Sequence, residues 1–559
     1  MIGSAQYVAQ ELAAWQRARR YGVPRWMIGR ATERQLAGDW EGACRAARVR
    51  VALDPRAVAG EHGAEVAGAL LEDLRHLAPD LLRWHLPRIG HGRSTLSPHQ
   101  AIVLARHGGR ALHVLTPTMM DGPQHLVLRF GDVDEGAGEE SRREEQDWTG
   151  ARHLWDARRV GELLERCGGG GRVPFFHPDG TPLADDELAA GGVAGLAERV
   201  ALLQERGEVE AAFDAAGLDL DLTAPDLPAY YDAEPLPLLS RLPLALTRLG
   251  PEIARLGGNL HKIFVGWPAT VLIDSGRAGT GGRPLVKVVD DRSAGSAAYL
   301  PAPAWRRLPD LDLLRAGRIG PDELHPLVRS ALFPARPEPA GPSGPPDAGL
   351  SGAPVRVRCR GEWHEVRQGD GALRIPHGDG ERQREKALLA LGGAVSGCFA
   401  LERAWTGGGG RLPKALRDQR QELFLRAQHG DAPGVLRLLD AGADPHARDG
   451  RKRTLLHLLH MLDHEELLPR LLKAGLDLEA RDQNGRTPLH MAVGDHGSEA
   501  LVRALVDAGA RIDVEDELTF GLVDFLDRHR RTDLDWLRKR IEKECPGAGG
   551  AWWSGDEYE

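Results

Sequence analysis

A repeat with a period of about 33 residues near the C-terminus constrains the fold of this chain more than any other feature of its sequence. The tetrapeptide Thr454-Leu455-Leu456-His457 returns one period later as Thr487-Pro488-Leu489-His490. An Ala-Gly pair begins at 441, 474 and 508, which are nearly equal intervals. Such a period indicates one supersecondary unit per repeat, with each unit burying the apolar face of its neighbour. The sequence therefore predicts a stack of similar units.

Local rules predict two short helices in each unit. Thr487 is placed to cap a helix, and Pro488 follows at the first helical position, where its missing N–H costs nothing. Apolar residues recur at helical spacing within 489–493 and again within 501–506. Gly509 stands where the end of a helix favours a left-handed residue. Each unit is therefore predicted to be a helix–turn–helix with an apolar face that it cannot bury alone.

The period and the T-P-L-H tetrapeptide resemble the ankyrin repeat. Three units align. The first, at 421–449, lacks the Thr-Pro start, and the segment 517–543 keeps two amphipathic helices but loses the repeat residues. Degenerate end units are expected, because an end unit turns one face to water. The resemblance implies an α-solenoid over 413–543 with degenerate caps and a general role in protein binding. It also implies that His457 and His490 tie neighbouring turns together through hydrogen bonds.

The same resemblance places basic residues at the hairpin tips between units, and successive tips line up on one side of such a stack. Arginine pairs with carboxylates through two hydrogen bonds. We therefore expect the tips to bind a protein partner with an acidic or mixed-charge surface, and a solvated turn is the alternative. The candidate partner-binding residues are Arg448, Arg451, Arg453, Arg481, Gln483, Arg486 and Asp495. Lys452 stands where the family has glycine, so its tip is expected to be distorted.

Changes in composition divide the rest of the chain. The predicted fold class is α+β multidomain, with a helical N-terminal region, a mixed α/β body and the C-terminal ankyrin-repeat α-solenoid. The predicted parts are a helical domain at 1–90, a mixed α+β domain at 91–333, a Pro/Gly-rich linker at 334–354, a small β-containing segment at 355–412, the repeats at 413–543 and a disordered tail at 544–559. Within 355–412, the stretch CFALERAW is expected to be a strand.

Bulk properties exclude some classes of protein. A net charge of −9 argues against nucleic acid as the main partner. No run of 18 apolar residues occurs, and the N-terminus lacks the pattern of a secretory signal, so we expect no membrane association. Five widely spaced cysteines are typical of reduced thiols in a cytoplasmic protein. Segments such as WMIGRATERQLAGDWEGACRAA resemble those of ankyrin proteins from high-G+C, streptomycete-like actinobacteria.

Chemical motifs are sparse. The glycine-rich GRAGTGGR lacks the Lys-Ser/Thr of a phosphate loop and leads into a β-like run rather than a helix. Cys359 and His364 lie close together in the sequence, but a zinc site needs about four ligands, and neither C-x-x-C nor H-E-x-x-H occurs. The sequence therefore predicts neither a metal nor a cofactor, and catalytic residues are not identified.

Two functions remain open. The first is an adaptor or scaffold whose repeats bind one protein while the N-terminal body docks to a second. The alternative is an enzyme or toxin-like effector in 91–333, with hydrolysis as one option, that the repeats direct to its target. The absence of catalytic signatures favours the adaptor, and the oligomeric state stays open.

Overall fold

The structure is a computed structural model, and it describes residues 4–90, 92–133, 143–225, 234–265, 269–276, 282–342, 344–347, 354–369, 372–405 and 411–547. Its contacts divide the chain into two compact units, the first of 1–117 and 125–346 and the second of 118–124 and 347–559. Most of the predicted tail and part of the predicted linker lie outside the described residues. The domain boundaries given above stay predictions.

The first unit begins with six α-helices, and the π-helix Ala18–Gly22 follows the first of them. They are Ser4–Arg17 (α1), Arg25–Leu36 (α2), Trp40–Ala46 (α3), Pro55–His62 (α4), Ala64–His76 (α5) and Pro79–His85 (α6). Asp39 caps α3, because its side chain accepts a hydrogen bond from the backbone N–H of Gly42. The short strand Val49–Val51 (β1) interrupts the helices and joins the sheet that follows.

A five-stranded sheet packs with these helices. The strands that follow β1 are Arg88–Gly90 (β2), Arg93–Leu96 (β3), Gln100–His107 (β4), Arg110–Leu115 (β5), Leu126–Gly131 (β6) and Glu144–Asp147 (β7). The sheet has the order β1-β6-β5-β4-β7, with parallel outer pairs and antiparallel inner pairs. Strands β2 and β3 form a separate ribbon. One hydrophobic core runs from Trp15 to Phe333, so the N-terminal helices and the sheet share it.

A second sheet and a second core complete the first unit. The helices are Leu163–Arg166 (α7), Gly192–Glu205 (α8), Val209–Ala215 (α9), Pro235–Arg241 (α10), Leu246–Leu256 (α11), Ala302–Trp305 (α12), Pro309–Arg315 (α13) and Pro326–Leu332 (α14). The strands are Asp219–Asp221 (β8), Leu260–Phe264 (β9), Ala269–Asp274 (β10), Leu285–Asp290 (β11) and Ala298–Tyr299 (β12). Their order is β12-β9-β10-β11-β8, and the core beneath them runs from Val200 to Ala304.

The second unit opens with a small α+β segment. Strands Val355–Cys359 (β13), Glu362–Gly369 (β14) and Ala372–Arg374 (β15) form an antiparallel meander. Helices Asp379–Ala390 (α15) and Gly397–Trp405 (α16) follow. The strand predicted for CFALERAW is wrong, because this stretch is α16. Its apolar residues recur at three- and four-residue intervals and bury one helical face, which is a helical rather than an alternating pattern.

The repeats follow as pairs of helices. They are Lys414–Gln428 (α17), Ala432–Asp440 (α18), the 3₁₀ helix Leu455–Met461, His464–Lys473 (α19), Pro488–Gly494 (α20), Glu499–Asp507 (α21), Leu522–Arg528 (α22) and Asp535–Glu544 (α23). Thr487 caps α20 and Pro488 opens it, as predicted. Gly442, Gly475 and Gly509 follow their helices with φ of 87°, 84° and 101°, the left-handed conformation that the pattern requires. One hydrophobic core runs from Leu423 to Ile541.

Among the residues that the structure describes, no helix combines the length and the apolar character needed to cross a membrane.

Candidate functional site

Three hairpin tips between the repeats have the same construction. In each tip, one aspartate side chain closes the turn by accepting hydrogen bonds from two backbone N–H groups. Asp449 Oδ1 accepts from Arg451 and Arg453 at 2.8 and 2.9 Å, and Asp482 Oδ1 accepts from Asn484 and Arg486 at 2.8 and 3.0 Å. A left-handed residue lies inside each turn. In the three tips this residue is Lys452, Gly485 and Thr519, with φ of 61°, 76° and 63° in that order. The distortion expected at Lys452 is therefore wrong, because the lysine adopts the backbone conformation that glycine supplies one unit later.

Neighbouring tips are joined by hydrogen bonds. The N–H of Gln483 donates to the carbonyl of Arg451 at 2.9 Å. The guanidinium of Arg448 donates to the carbonyl of Arg481 at 3.1 Å, and that of Arg481 donates to the carbonyl of Glu515 at 2.9 Å. Two of the arginines predicted to contact a partner therefore also link adjacent units, although both are exposed.

The remaining predicted arginines differ in exposure. Arg453 is buried, and its guanidinium pairs with Asp449 at 2.8 Å, so it does not form part of an exposed patch. Arg486 is partly buried, with Nε 3.2 Å from Asp516 and its guanidinium over the ring of Phe525. Arg451 is exposed. The tips thus present fewer accessible arginines than the sequence suggests.

The repeat histidines are structural, as the resemblance implies. The Nδ1 atoms of His457 and His490 lie 2.9 and 2.8 Å from the hydroxyls of Thr454 and Thr487. His457 Nε2 reaches the carbonyl of Arg486 in the next unit at 3.1 Å. Burial lowers the pKa of both rings to about 4, so both are neutral near pH 7.

A small pocket opens beside the last two repeat units. It has a volume of about 160 Å³ and is lined by Arg486, His490, Met491, Gly494, Asp495, Phe525, Arg528 and His529. Ligand pockets for small molecules are usually larger, from about 300 Å³ upward, so this one fits a side chain rather than a cofactor. Two of the predicted residues, Arg486 and Asp495, line it. Arg528 and His529 were missed because they belong to the segment that has lost the repeat residues.

A distant stretch of the chain lies against this surface. The segment Thr118–Gln124 belongs to the second unit by its contacts. The carbonyl of Asp121 lies 2.8 Å from Nε2 of His460, and its carboxylate lies 3.7 Å from the guanidinium of Arg451. His460 Nε2 is also 3.7 Å from the carboxylate of Asp495. An acidic residue therefore already lies at the predicted partner-binding residues. We use the name repeat face for Arg451, His460, Arg486, Met491, Asp495, Arg528 and His529.

A second cluster lies in the small segment before the repeats. Potential ligand atoms of Cys359, His364, His377 and Cys398 all lie within 4.8 Å of one another. The fold therefore adds two potential metal ligands to Cys359 and His364, which lie close together in the sequence. His377 and Cys398 were missed because the intervals along the chain match no metal-binding motif.

The pockets of the first unit bear on the enzymatic alternative. One pocket has a volume of about 580 Å³. Two buried charged residues in its lining, Arg166 and Glu252, form an ion pair at 3.0 Å. A smaller one contains His85, His153 and Cys167. Burial lowers the pKa of both histidines and raises that of the thiol to about 11, so all three groups are neutral near pH 7. The protonated thiol is a poor nucleophile, because the thiolate is the reactive species.

Ankyrin repeats are recognised at residues 423–516. A family model for these repeats matches there in three copies, which confirms ankyrin repeats within the predicted stretch of 413–543, while the caps outside 423–516 stay a prediction. Ankyrin repeats indicate a protein–protein interaction module, and this match does not extend to the first unit. No curated protein matches the chain, so the resemblance to actinobacterial proteins stays a prediction.

Proposed function

We propose that the repeats form an ankyrin solenoid that binds a protein partner through the repeat face, and that the chain acts as an adaptor or scaffold. The observation that carries this proposal is the contact of Asp121 with Arg451 and His460. It supports a partner that presents an acidic residue in an exposed loop.

The composition of the repeat face supports protein binding. Met491 of the face and the adjoining Phe525 give the pocket an apolar part, while Arg486, Asp495 and Arg528 supply charge. Interfaces combine a desolvated apolar centre with a polar rim in this way, and arginine, methionine and aromatic residues are enriched in them. The volume of the pocket suits one inserted side chain.

The charges of the face determine what kind of partner fits. Arg528 is exposed and available to an incoming carboxylate, and the exposed Arg451 becomes available when a partner carboxylate replaces Asp121. Asp495 also lies here, and burial raises the pKa of its carboxyl group. The partner surface is therefore of mixed charge, with a carboxylate near Arg451 and a hydrogen-bond donor near Asp495.

Charge reversal in the full-length chain tests the proposal. Partners are captured from the native organism, and binding of the captured protein is then measured with purified variants. Exposed ion pairs contribute only about 0.2–1 kcal/mol each, so two changes are combined. Arg451→Glu with Arg528→Glu is expected to lower the association rate about tenfold at low salt, with a smaller effect at high salt.

The matched control changes net charge equally away from the face. Lys473→Glu with Lys539→Glu alters two exposed lysines on α19 and α23 and is expected to leave the association rate close to that of the wild type. If both double variants bind with the same rate and salt dependence as the wild type, the partner does not use the repeat face.

A further inference from the structure

The four clustered residues of the small segment come from four different places in its fold. Cys359 ends β13, His364 lies on the adjacent strand β14, His377 stands in the turn before α15, and Cys398 lies in the first turn of α16. The meander and the starts of both helices thus converge on one point.

Three of the distances between the ligand atoms are close to those of a metal-centred tetrahedron. With bonds of about 2.3 Å to sulfur and 2.0–2.1 Å to nitrogen, tetrahedral zinc places sulfur and nitrogen about 3.5–3.6 Å apart and two nitrogens about 3.3 Å apart. Cys359 Sγ lies 3.6 Å from His377 Nε2, and Cys398 Sγ lies 3.5 Å from His364 Nδ1. The two histidine nitrogens are 3.1 Å apart.

The outward-facing nitrogen of His377 meets a carboxylate, because its Nδ1 lies 3.2 Å from Oε2 of Glu381. His364 Nε2 lies 3.9 Å from Oε2 of Glu362, which is too long for a hydrogen bond. A carboxylate accepts hydrogen bonds and does not donate them, so the proton of neutral His377 is on Nδ1 and its Nε2 presents a lone pair to the cluster. Histidines that bind metals are held by a carboxylate in this manner.

Three of the four ligands are shielded from solvent. Cys359 and Cys398 are buried and His377 has only 4% of its side chain exposed, while His364 has 21% exposed. Gly397 allows the approach of the two cysteines, because a Cβ at this position would lie 2.6 Å from Cys359 Sγ. Four protein ligands around one point leave no position open for water or substrate, which is the arrangement of structural rather than catalytic zinc sites.

The segment also needs a stabilising element. Its hydrophobic core contains few residues, among them Val366, Leu373, Phe399 and Trp405. A core of this size rarely stabilises a small fold alone, and a metal is one of the usual supplements.

We propose that Cys359, His364, His377 and Cys398 bind one zinc ion that holds the meander to α15 and α16. The donor set of two thiolates and two imidazoles in tetrahedral arrangement suits Zn²⁺ better than Mg²⁺ or Ca²⁺, which prefer oxygen ligands. Binding displaces the thiol protons, and both sulfurs ligate as thiolates.

Metal content of the full-length chain tests the site. Protein purified under reducing conditions without chelator is expected to contain about one zinc per chain by elemental mass spectrometry. Cys398→Ser and His377→Ala are each expected to reduce this content at least tenfold. Cys545→Ser is the matched control, because this cysteine lies outside the cluster in the same unit, and it is expected to keep the full content.

Two further measurements keep the proposal testable if a ligand variant misfolds. The wild type, stripped of metal and titrated with Co²⁺, is expected to show the visible bands of a tetrahedral site and a thiolate charge-transfer band. Glu381→Gln, which changes a side chain that is 42% exposed, is expected to weaken metal affinity about 10–100-fold. The proposal is overturned if the wild type holds neither zinc nor cobalt, if mass spectrometry finds a Cys359–Cys398 disulfide in the native chain, or if Cys545→Ser loses as much metal as Cys398→Ser.

Discussion

Replacing Lys452 by glycine should stabilise the repeats. Lys452 is exposed and holds φ at +61°, while Gly485 one unit later holds +76° in the same turn. A side chain other than glycine costs about 1–2 kcal/mol in this left-handed region. Glycine also gives the unfolded chain more freedom, which returns about 0.4–1 kcal/mol. The difference between the midpoints of these ranges gives an expected net gain for Lys452→Gly of about 0.8 kcal/mol, and the backbone hydrogen bond from Lys452 N to Asp449 O is kept.

The reverse change at the equivalent position provides the control. In Gly485→Ala, the new Cβ would lie 2.8 Å from the backbone nitrogen of Glu517, so strain adds to the unfavourable φ. This variant is expected to lose more than about 1 kcal/mol.

Hydrogen exchange of the full-length chain measures both effects locally, without assuming that the two units unfold together. Because about 1 kcal/mol corresponds to about a fivefold change in an equilibrium constant, Lys452→Gly should slow exchange in peptides covering 455–461 by about two- to fivefold. Gly485→Ala should accelerate exchange in peptides covering 488–494. Faster exchange in Lys452→Gly would show that the turn is not left-handed at this residue and would refute the shared geometry of the tips.

Two more predictions concern the repeat core. Leu489→Ala should cost about 2–5 kcal/mol because Leu489 is fully buried, and His490→Ala should cost about 1–3 kcal/mol because the backbone N–H and the hydroxyl of Thr487 lose the imidazole Nδ1; local exchange rates compare the two with the wild type. Lower pH should also destabilise the repeats. Since the folded-state pKa of His457 and His490 is about 4, the unfolded chain binds more protons between about pH 6.5 and 4. The contribution of these histidines to the free energy of unfolding is therefore fully present above about pH 6.5. Below that pH it should fall by up to about 1.4 kcal/mol per pH unit for each histidine. Exchange rates corrected for intrinsic pH dependence measure this fall, and an unchanged stability down to pH 5 would contradict it.

The repeats could be predicted from the sequence because their determinants are local and recur. The cap at Thr487, the proline at the start of α20 and the glycine after α21 each follow from rules that act within a few residues. The period then supplies the packing partner, since each unit buries its face against the next.

Exposure and long-range contacts could not be predicted in this way. Arg453 has the same local sequence signal as Arg451, but one side chain is buried against Asp449 and the other is exposed. Asp121 meets His460 across 339 positions of the chain, and no local pattern indicates such a contact.

The metal cluster shows the same limit. The intervals between its ligands widen along the chain from Cys359 to Cys398, and the meander and two helices bring the four together only when the segment folds. Cys398 also lies at the start of α16, in a stretch for which the sequence predicts a strand.

The claim that the repeat face binds a protein partner is tested most directly by a hydrogen-exchange footprint of the full-length chain with and without its captured partner. Slower exchange is expected in peptides covering 449–453, 486–495 and 522–529. Faster exchange is expected in 118–124, because a partner carboxylate would replace Asp121 at Arg451. Unchanged exchange in all of these peptides, together with protection elsewhere in the chain, would contradict the claim.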